Sequence, residues 1–541
     1  MTEIFGIDLG TTYSAVARID EFGMPVIVPN AEDQPTTPSA VYFETEDNVA
    51  VGQTAKNSAV IDADNVVTLV KRRMGEDFKL SFYGQEYTPE SISALILKQL
   101  MQDAVAQTGI DTNRVVITVP AYFGVREKDS TRKAGEIAGL EVVDIIAEPV
   151  AAALAYGMKQ SVGEKTVFVY DLGGGTFDTT ILKISPEVLE VVVIDGNHEL
   201  GGADWDAKLI EYLISEFQSQ TGIPEEELED ENFLQEMALK AEELKRNLSK
   251  LESRQVPLKL GSQSAKLTVT REQFEDMTSD LLNETVTIVE RTLKAAQGKD
   301  PGIKIDEVLL VGGSSFMPAV ARILKEKFGW DAKLSDPNQA VAKGAAIYGS
   351  SPVSLSGTDA EGAAQQSKSL PGDTGQQAAG PAREIRTVIP KAIGIGVLCG
   401  HDDGTACEHS DAQSDKLMVD FFIHKNDSLP FVEKQIYGTG WEGQTAVRIQ
   451  VFEQTGATES ELIANNRLLS HEGGAVITDL PPLPKGSPIE IELAINKQGE
   501  AHLAAKDLTS GKELKFTISL GQMQEKEVEQ AREQISRITV G

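Results

Sequence analysis

Two short segments carry residues suited to handling a phosphate. Asp8-Leu9-Gly10-Thr11-Thr12 follows the apolar run Ile4-Phe5-Gly6-Ile7, and Asp171-Leu172-Gly173-Gly174-Gly175-Thr176-Phe177-Asp178 follows Val167-Phe168-Val169-Tyr170. Each returns into a second β-like run, Ser14-Ala15-Val16-Ala17 and Thr179-Thr180-Ile181-Leu182. A strand ending in Asp, a Gly/Thr turn and a second strand make a hairpin. Glycine lets backbone N–H groups approach an anion closely, and threonine hydroxyls add donors. An aspartate beside such a turn, Asp8 or Asp171 here, can hold Mg²⁺, usually through water. Two hairpins of this kind facing each other imply a nucleotide held between two lobes. A third glycine element, Val311-Gly312-Gly313-Ser314-Ser315, follows a strand and precedes a helix expected to begin near Pro318. It can set a nucleoside against a helix N-terminus.

The elements that must position these residues alternate between strand and helix through residues 1–350. Val115-Val116-Ile117-Thr118-Val119 reads as a buried strand stopped at Pro120, residues 127–138 as a helix, and Val308-Leu309-Leu310-Val311 as another buried strand. Such alternation predicts an α/β architecture with helices covering sheets. Residues 225–252 predict one helical stretch with acidic residues leading and basic ones following, as the helix dipole favours. Its expected buried stripe is Leu234, Ala238, Ala241, Leu244, Leu248 and Leu251. Residues 351–383 are rich in Ser, Gly, Ala, Gln and Asp and cannot bury enough surface to order themselves, so they read as a flexible linker. Residues 384–520 predict a β-sandwich: Ala446 to Phe452, Ile489 to Leu493 and Lys515 to Ile518 alternate between Gly/Pro turns. Residues 521–541 predict a short amphipathic helix with Val528, Ala531, Ile535 and Ile538 on one side.

The bulk numbers set limits. A chain of 541 residues exceeds one core and implies several domains. Its formal net charge of −33 argues against a nucleic-acid or anionic-membrane surface. Only Cys399 and Cys407 are cysteines, which excludes a disulfide framework and points to a reducing compartment. No signal peptide is visible and no apolar run reaches about 18 residues, so the expected location is the cytoplasm.

In this order and together, the three glycine elements resemble the heat shock protein 70 family, the DnaK-type chaperones. The likeness rests on Ile7 to Ser14, Val119-Pro120-Ala121-Tyr122-Phe123, Glu148-Pro149 with Ala151-Ala152-Ala153, Asp171 to Asp178, Val311 to Ser314, and Ala504 to Glu513. It implies a two-lobed, actin-like α/β ATPase domain followed by an all-β sandwich that binds peptides. It further implies ATP or ADP with Mg²⁺ and K⁺, unfolded polypeptides as clients, and a J-domain co-chaperone and a nucleotide exchange factor as partners.

Carried over residue by residue, the resemblance implies hydrated Mg²⁺ at Asp8 and Asp171. Phosphates would sit among Gly10, Thr11, Thr12 and Tyr13 on one side and Gly173, Gly174, Gly175 and Thr176 on the other. Lys71, in Val70-Lys71-Arg72-Arg73-Met74-Gly75, would stabilise γ-phosphate charge, while Glu148 and Asp178 orient water and ions. Phosphoryl transfer of this type works by positioning and electrostatics. Glu242, Lys245, Arg246 and Ser249 match the nucleoside-binding helix, Gly201 and Gly202 the ribose side, and Gly312, Gly313 and Ser314 the third motif. Phe316 stands where the family has Arg; it either stacks on adenine or points into the lobe core. Ile393, Ile395, Leu398, Tyr437, Val447 and Ile449 match the peptide groove, with ordinary core packing as the alternative for each. A small-molecule kinase and a nucleotide-gated scaffold with little turnover remain as other classes.

Three features depart from the family. Arg383-Glu384-Ile385-Arg386-Thr387 replaces an apolar interdomain run, and charged side chains dock poorly in a buried seam. Weak coupling between nucleotide and peptide is therefore expected. Only residues 522–541 follow the sandwich, so a helical lid is not expected and peptide exchange should be fast. Cys399, His401, Cys407 and His409 fall within an inserted loop. Their spacing suits a Zn²⁺ hairpin, although a polar loop with incidental Cys and His is the plainer reading.

Overall fold

A computed structural model of the chain describes residues 3–158, 163–351, 384–398, 417–469, 475–517 and 523–541. The expected linker lies outside the described residues except for Ser351, as does the whole Cys399–His409 loop. Two compact units form: Met1–Ala121, Thr131–Ile385 and Glu525–Gly541 make the first, and Tyr122–Ser130 with Arg386–Gln524 the second.

The first unit contains two sheets built to one plan. In one, the strand order is Glu141–Ala147, Arg114–Val119, Phe5–Asp8, Tyr13–Ile19 and Pro25–Val28. In the other it is Lys333–Leu334, Glu307–Val311, Lys165–Leu172, Phe177–Ile184, Val188–Asn197 and Glu384–Arg386. Each sheet centres on the strand that carries a phosphate-hairpin aspartate at or next to its end. That strand pairs parallel with one neighbour and antiparallel with its own hairpin partner. Val167, Phe168, Val169 and Tyr170 are all fully buried, as a strand covered on both faces requires. The doubled motif is thus the visible part of a doubled sheet.

Helices close these sheets by near contact. Ala340–Ser350 lies against the first sheet so tightly that a Cβ on Gly6 would collide with the backbone of Ala342 and Ala346. The expected 225–252 helix is broken. Glu225–Leu228 and Glu231–Leu248 are separate, and the Asp230 side chain caps the second by accepting from Phe233 N at 2.8 Å. Its buried stripe is Phe233, Met237, Ala241, Leu244 and Leu248, whereas Leu234 and Leu251 are exposed. An aromatic residue one position away from Leu234 took the core side, which spacing alone did not resolve.

Glu384–Arg386 ends the second sheet, with Glu384 N donating to Glu187 O at 2.7 Å. Glu384 and Arg386 are exposed and Ile385 half-buried. An edge strand satisfies its backbone while its charged side chains stay in water.

In the second unit, one sheet runs Leu417–Ile423, Ile393–Leu398, Val451–Gln454, Asn466–Leu468, and the other Phe431–Gly438, Pro488–Ile495, Ala501–Asp507, Glu513–Thr517. Val447–Ile449 pairs separately with Ala475–Ile477. The expected single run from Ala446 to Phe452 is therefore two strands divided at Gln450, each in a different sheet. Val125 joins the sandwich core with Ile393, Ile449 and Ile491.

A charged cluster is also buried in this unit. Glu127 accepts from Lys391 Nζ at 3.0 Å and pairs with Arg467; Glu453, 1 % exposed, lies 3.0 Å from Arg467 NH2 and accepts from Val125 N at 3.0 Å. Burial opposes ionisation of Glu127, but Lys391 and Arg467 prevail and take it from 4.5 to about 2. A depressed folded-state value stabilises fully above the unfolded one, so this contribution is lost as pH falls from about 4.5 towards 2. Glu127→Ala leaves two cations facing one carboxylate. The expected cost is roughly 3–5 kcal/mol, read as a lower denaturant midpoint for the sandwich transition.

Candidate functional site

The two phosphate hairpins meet. A Cβ on Gly174 would collide with the Thr12 side chain, and one on Gly175 with Thr11. Hydrogen bonds fix each turn. Gly10 N donates to Ser14 Oγ at 3.1 Å, Ser39 Oγ to Gly10 O at 2.7 Å, and Gly173 N to Thr176 O at 3.0 Å. The helix Gly202–Thr221 begins against the second turn: Gly202 N donates to Gly173 O at 3.0 Å and Ala203 N to Gly174 O at 2.7 Å. Gly201 leaves no room for a side chain, because a Cβ there would strike the backbone of Gly175 and Thr176.

Above the hairpins opens a cleft of about 390 Å³, within the size range of small-ligand sites. Asp8, Gly10, Thr11, Thr12, Tyr13, Lys71, Glu148, Asp171, Gly173, Gly174 and Thr176 line its floor. Glu242, Lys245, Arg246, Ser249, Gly312, Gly313, Ser314 and Phe316 line it further out. Gly175, Gly201, Gly202 and Asp178 stand behind the lining; Asp178 is 1 % exposed, on the strand returning from the second hairpin. Phe316 faces the cleft with 43 % of its surface exposed, which removes the alternative that it belongs to the lobe core.

Charge is unbalanced on the floor. Lys71 Nζ lies 2.6 Å from Glu148 Oε1, both buried, so this one ammonium faces Glu148, Asp8 and Asp171 together. Burial, then repulsion by Glu148, pushes Asp8 up to about 7 despite Lys71. Burial, Glu148 and Asp8 hold Asp171 well above the ordinary carboxylate range. Buried carboxylates that resist ionisation next to one another are relieved by a cation. The oxygen donor set suits a hard divalent ion such as Mg²⁺. Among the described residues, no cluster of three or more His, Cys, Asp or Glu has direct metal-ligand geometry.

Several residues that complete the site have no motif of their own. Arg72 Nε donates to Gly175 O at 2.9 Å and its NH2 pairs with Asp204 Oδ2 at 2.6 Å; Asp204 in turn accepts from Gly201 N at 2.7 Å. This braces the second hairpin from behind. Its only sequence signals are adjacency to Lys71 and a spacing of three from Gly201. Lys245 Nζ donates to Gly202 O and Asp206 Oδ2, each at 2.7 Å, so it is anchored rather than free to roam the cleft. Across the cleft mouth, Tyr13 OH donates to Glu242 Oε1 at 2.7 Å, and Lys56 pairs with Glu242 while donating to Tyr13 OH at 2.9 Å.

The groove candidates divide. Ile393, Ile395 and Ile449 are at most 4 % exposed and pack in the sandwich core. Tyr437 and Val447 are half-buried against that core, and Tyr437 OH donates to Asp420 Oδ2 at 2.8 Å. Leu398 is 51 % exposed and touches the turn at Gly440, where a Cβ would approach its Cδ1 to 2.8 Å. Cys399, His401, Cys407 and His409 lie outside the described residues. No described helix is long and apolar enough to cross a membrane.

Comparison with known proteins agrees with this geometry. The family model described as Hsp70 protein matches residues 4–83, 79–360 and 413–539. "Chaperone protein DnaK" of Thermosipho melanesiensis is 36% identical over 524 residues, covering 95% of this chain and 80% of the relative. The protein of the same name from Thermosipho africanus matches to the same extent. Neither a small-molecule kinase nor a passive scaffold is favoured by these matches. The chain belongs to the Hsp70 family of ATP-dependent molecular chaperones, an actin-like ATPase domain followed by a β-sandwich.

Proposed function

We propose that ATP bound over the two hairpins is hydrolysed to ADP and phosphate, and that this hydrolysis controls how the sandwich binds extended apolar segments of unfolded proteins. The observation that carries the reading is the floor of the cleft. Two glycine–threonine turns in contact, three carboxylates and one lysine form a site with phosphate donors and a net need for cations. Asp8 and Asp171 would hold hydrated Mg²⁺, which neutralises phosphate charge when bound; K⁺ is the expected second ion. The hydroxyls of Thr11, Thr12 and Thr176 and the backbone N–H of Tyr13 would supply donors to the phosphate oxygens. Glu148 holds Lys71 at the floor, so the ammonium meets the γ-phosphate without reorganising. Preorganised charge of this kind acts most strongly on the transition state. Glu148 and Asp178 would orient the attacking water. Phe316 offers adenine a flat apolar face.

Extended peptides would lie along Leu398, Tyr437 and Val447, held by backbone hydrogen bonds and one apolar pocket. A J-domain co-chaperone, a nucleotide exchange factor and a cytoplasmic location complete the proposal. Single-turnover hydrolysis of ATP by the full chain, with and without an unfolded model peptide, tests it. The expected result is slow hydrolysis that peptide accelerates. Binding of ATP with no hydrolysis under either condition would overturn it.

A further inference from the structure

The chain leaves the first unit after Ile385 and returns to it at Glu525. The returning segment is an amphipathic helix, Glu525–Arg537, followed by a strand, Thr539–Val540. Val528, Ala531, Ile535, Ile538 and Val540 are buried, while most of the helix's other residues are exposed. The helix packs on Pro89–Thr108, and the strand adds in parallel to the edge strand Asn48–Val51. Thr539 N donates to Asp47 O at 2.9 Å, Gly541 N to Val49 O at 3.1 Å, and Val51 N to Gly541 O at 3.3 Å. Lys98 Nζ donates to Ile535 O at 3.0 Å and Ile538 O at 2.8 Å, so a cation sits at the helix C-terminus, where the helix dipole favours positive charge.

The edge strand has a second duty. Val51, which donates to the tail, runs through Gly52 into the helix Gln53–Ser58, and that helix carries Lys56. Lys56 pairs with Glu242 and Tyr13 across the mouth of the cleft. The tail therefore braces the short strand that supports one side of the cleft closure.

We propose that the Asn48–Val51 edge, with the apolar groove beside it and Lys98, is a binding site for an amphipathic helix–strand segment, filled by residues 525–541, and that its occupancy slows nucleotide release. The second half rests on the nucleotide reading above; the first does not. Segment and site are joined through a separate folded unit, so seating is an intramolecular binding event with its own equilibrium. When the tail leaves, the edge strand loses three backbone bonds and the wall bearing Lys56 loosens.

The test uses the full chain. Ile535→Asp/Val540→Asp should unseat the tail, and a fluorescein-labelled peptide of residues 525–541 should then bind this variant saturably while the wild type binds little. Release of a fluorescent ADP from the variant should be about fivefold or more faster than from wild type, and the peptide added in trans should slow it again. A variant that takes up no peptide overturns the site. Peptide uptake with wild-type release overturns the coupling. Failure of the wild type to hold ADP overturns the nucleotide reading and the coupling with it, while peptide uptake still decides the site. If the double variant does not fold, Lys98→Gln replaces it, read by hydrogen exchange at the Val51 and Gly541 amides. Lost protection with faster release supports the proposal; lost protection with unchanged release, or protection retained, overturns it.

Discussion

Lys71→Ala is expected to lower the single-turnover rate of ATP hydrolysis by about 10²–10³-fold, while ATP affinity changes far less. Lys71 is 5 % exposed and held by Glu148 at 2.6 Å, so its charge is already in place before the γ-phosphate becomes more negative. An interaction that strengthens only as charge develops affects the rate more than binding. Removing it also takes away the ammonium that offsets Glu148, Asp8 and Asp171, which raises their dependence on Mg²⁺. Single-turnover quench measurements at saturating ATP, beside calorimetric affinity, separate the two effects. An unchanged rate with weakened binding would show that Lys71 only holds the ground state.

Gly201→Val should produce the opposite pattern, with ATP affinity falling by at least about two orders of magnitude, roughly 2.8 kcal/mol at 1.4 kcal/mol per tenfold. Its new Cβ would strike the Gly175 and Thr176 backbone, which no rotamer change can relieve. The second hairpin must then move away from Thr11 and Thr12, and its Arg72–Asp204 brace goes with it. Gly298→Ala is the control. It lies in the helix Ser279–Lys299 with open space around its Cβ direction, so it should keep affinity and gain slightly in stability. Wild-type ATP affinity in Gly201→Val, with an intact thermal transition, would mean that the hairpins do not form the nucleotide floor.

The Hsp70 relationship was legible in the sequence because its strongest signals are local. A strand, an aspartate and a Gly/Thr turn occupy about ten consecutive residues, and backbone geometry makes them a hairpin wherever they fold. Asp8, Asp171, Gly173 and Gly174 could be named on that basis, and the doubling of the motif implied two lobes. The residues that brace the site could not. Arg72 meets Gly175 and Asp204, and Lys56 meets Glu242, across separations that no periodicity encodes.

The sandwich shows a second limit. Alternation in Ile393-Gly394-Ile395 and Val447-Arg448-Ile449 says that two faces differ, but not whether the apolar face turns to the core or to a ligand. Only the packing of the second sheet decided that Ile393, Ile395 and Ile449 point inward. The tail was similar: Val528, Ala531, Ile535 and Ile538 were readable as one face of a helix, yet a 3.6-residue period carries no address. The sequence by itself determined which segments must hide an apolar face and which turns can accept phosphate, because those depend on neighbours in the chain. The tertiary structure alone decided which surface receives each face, because that depends on shape and on groups such as Lys98, far away along the chain and close only once it has folded.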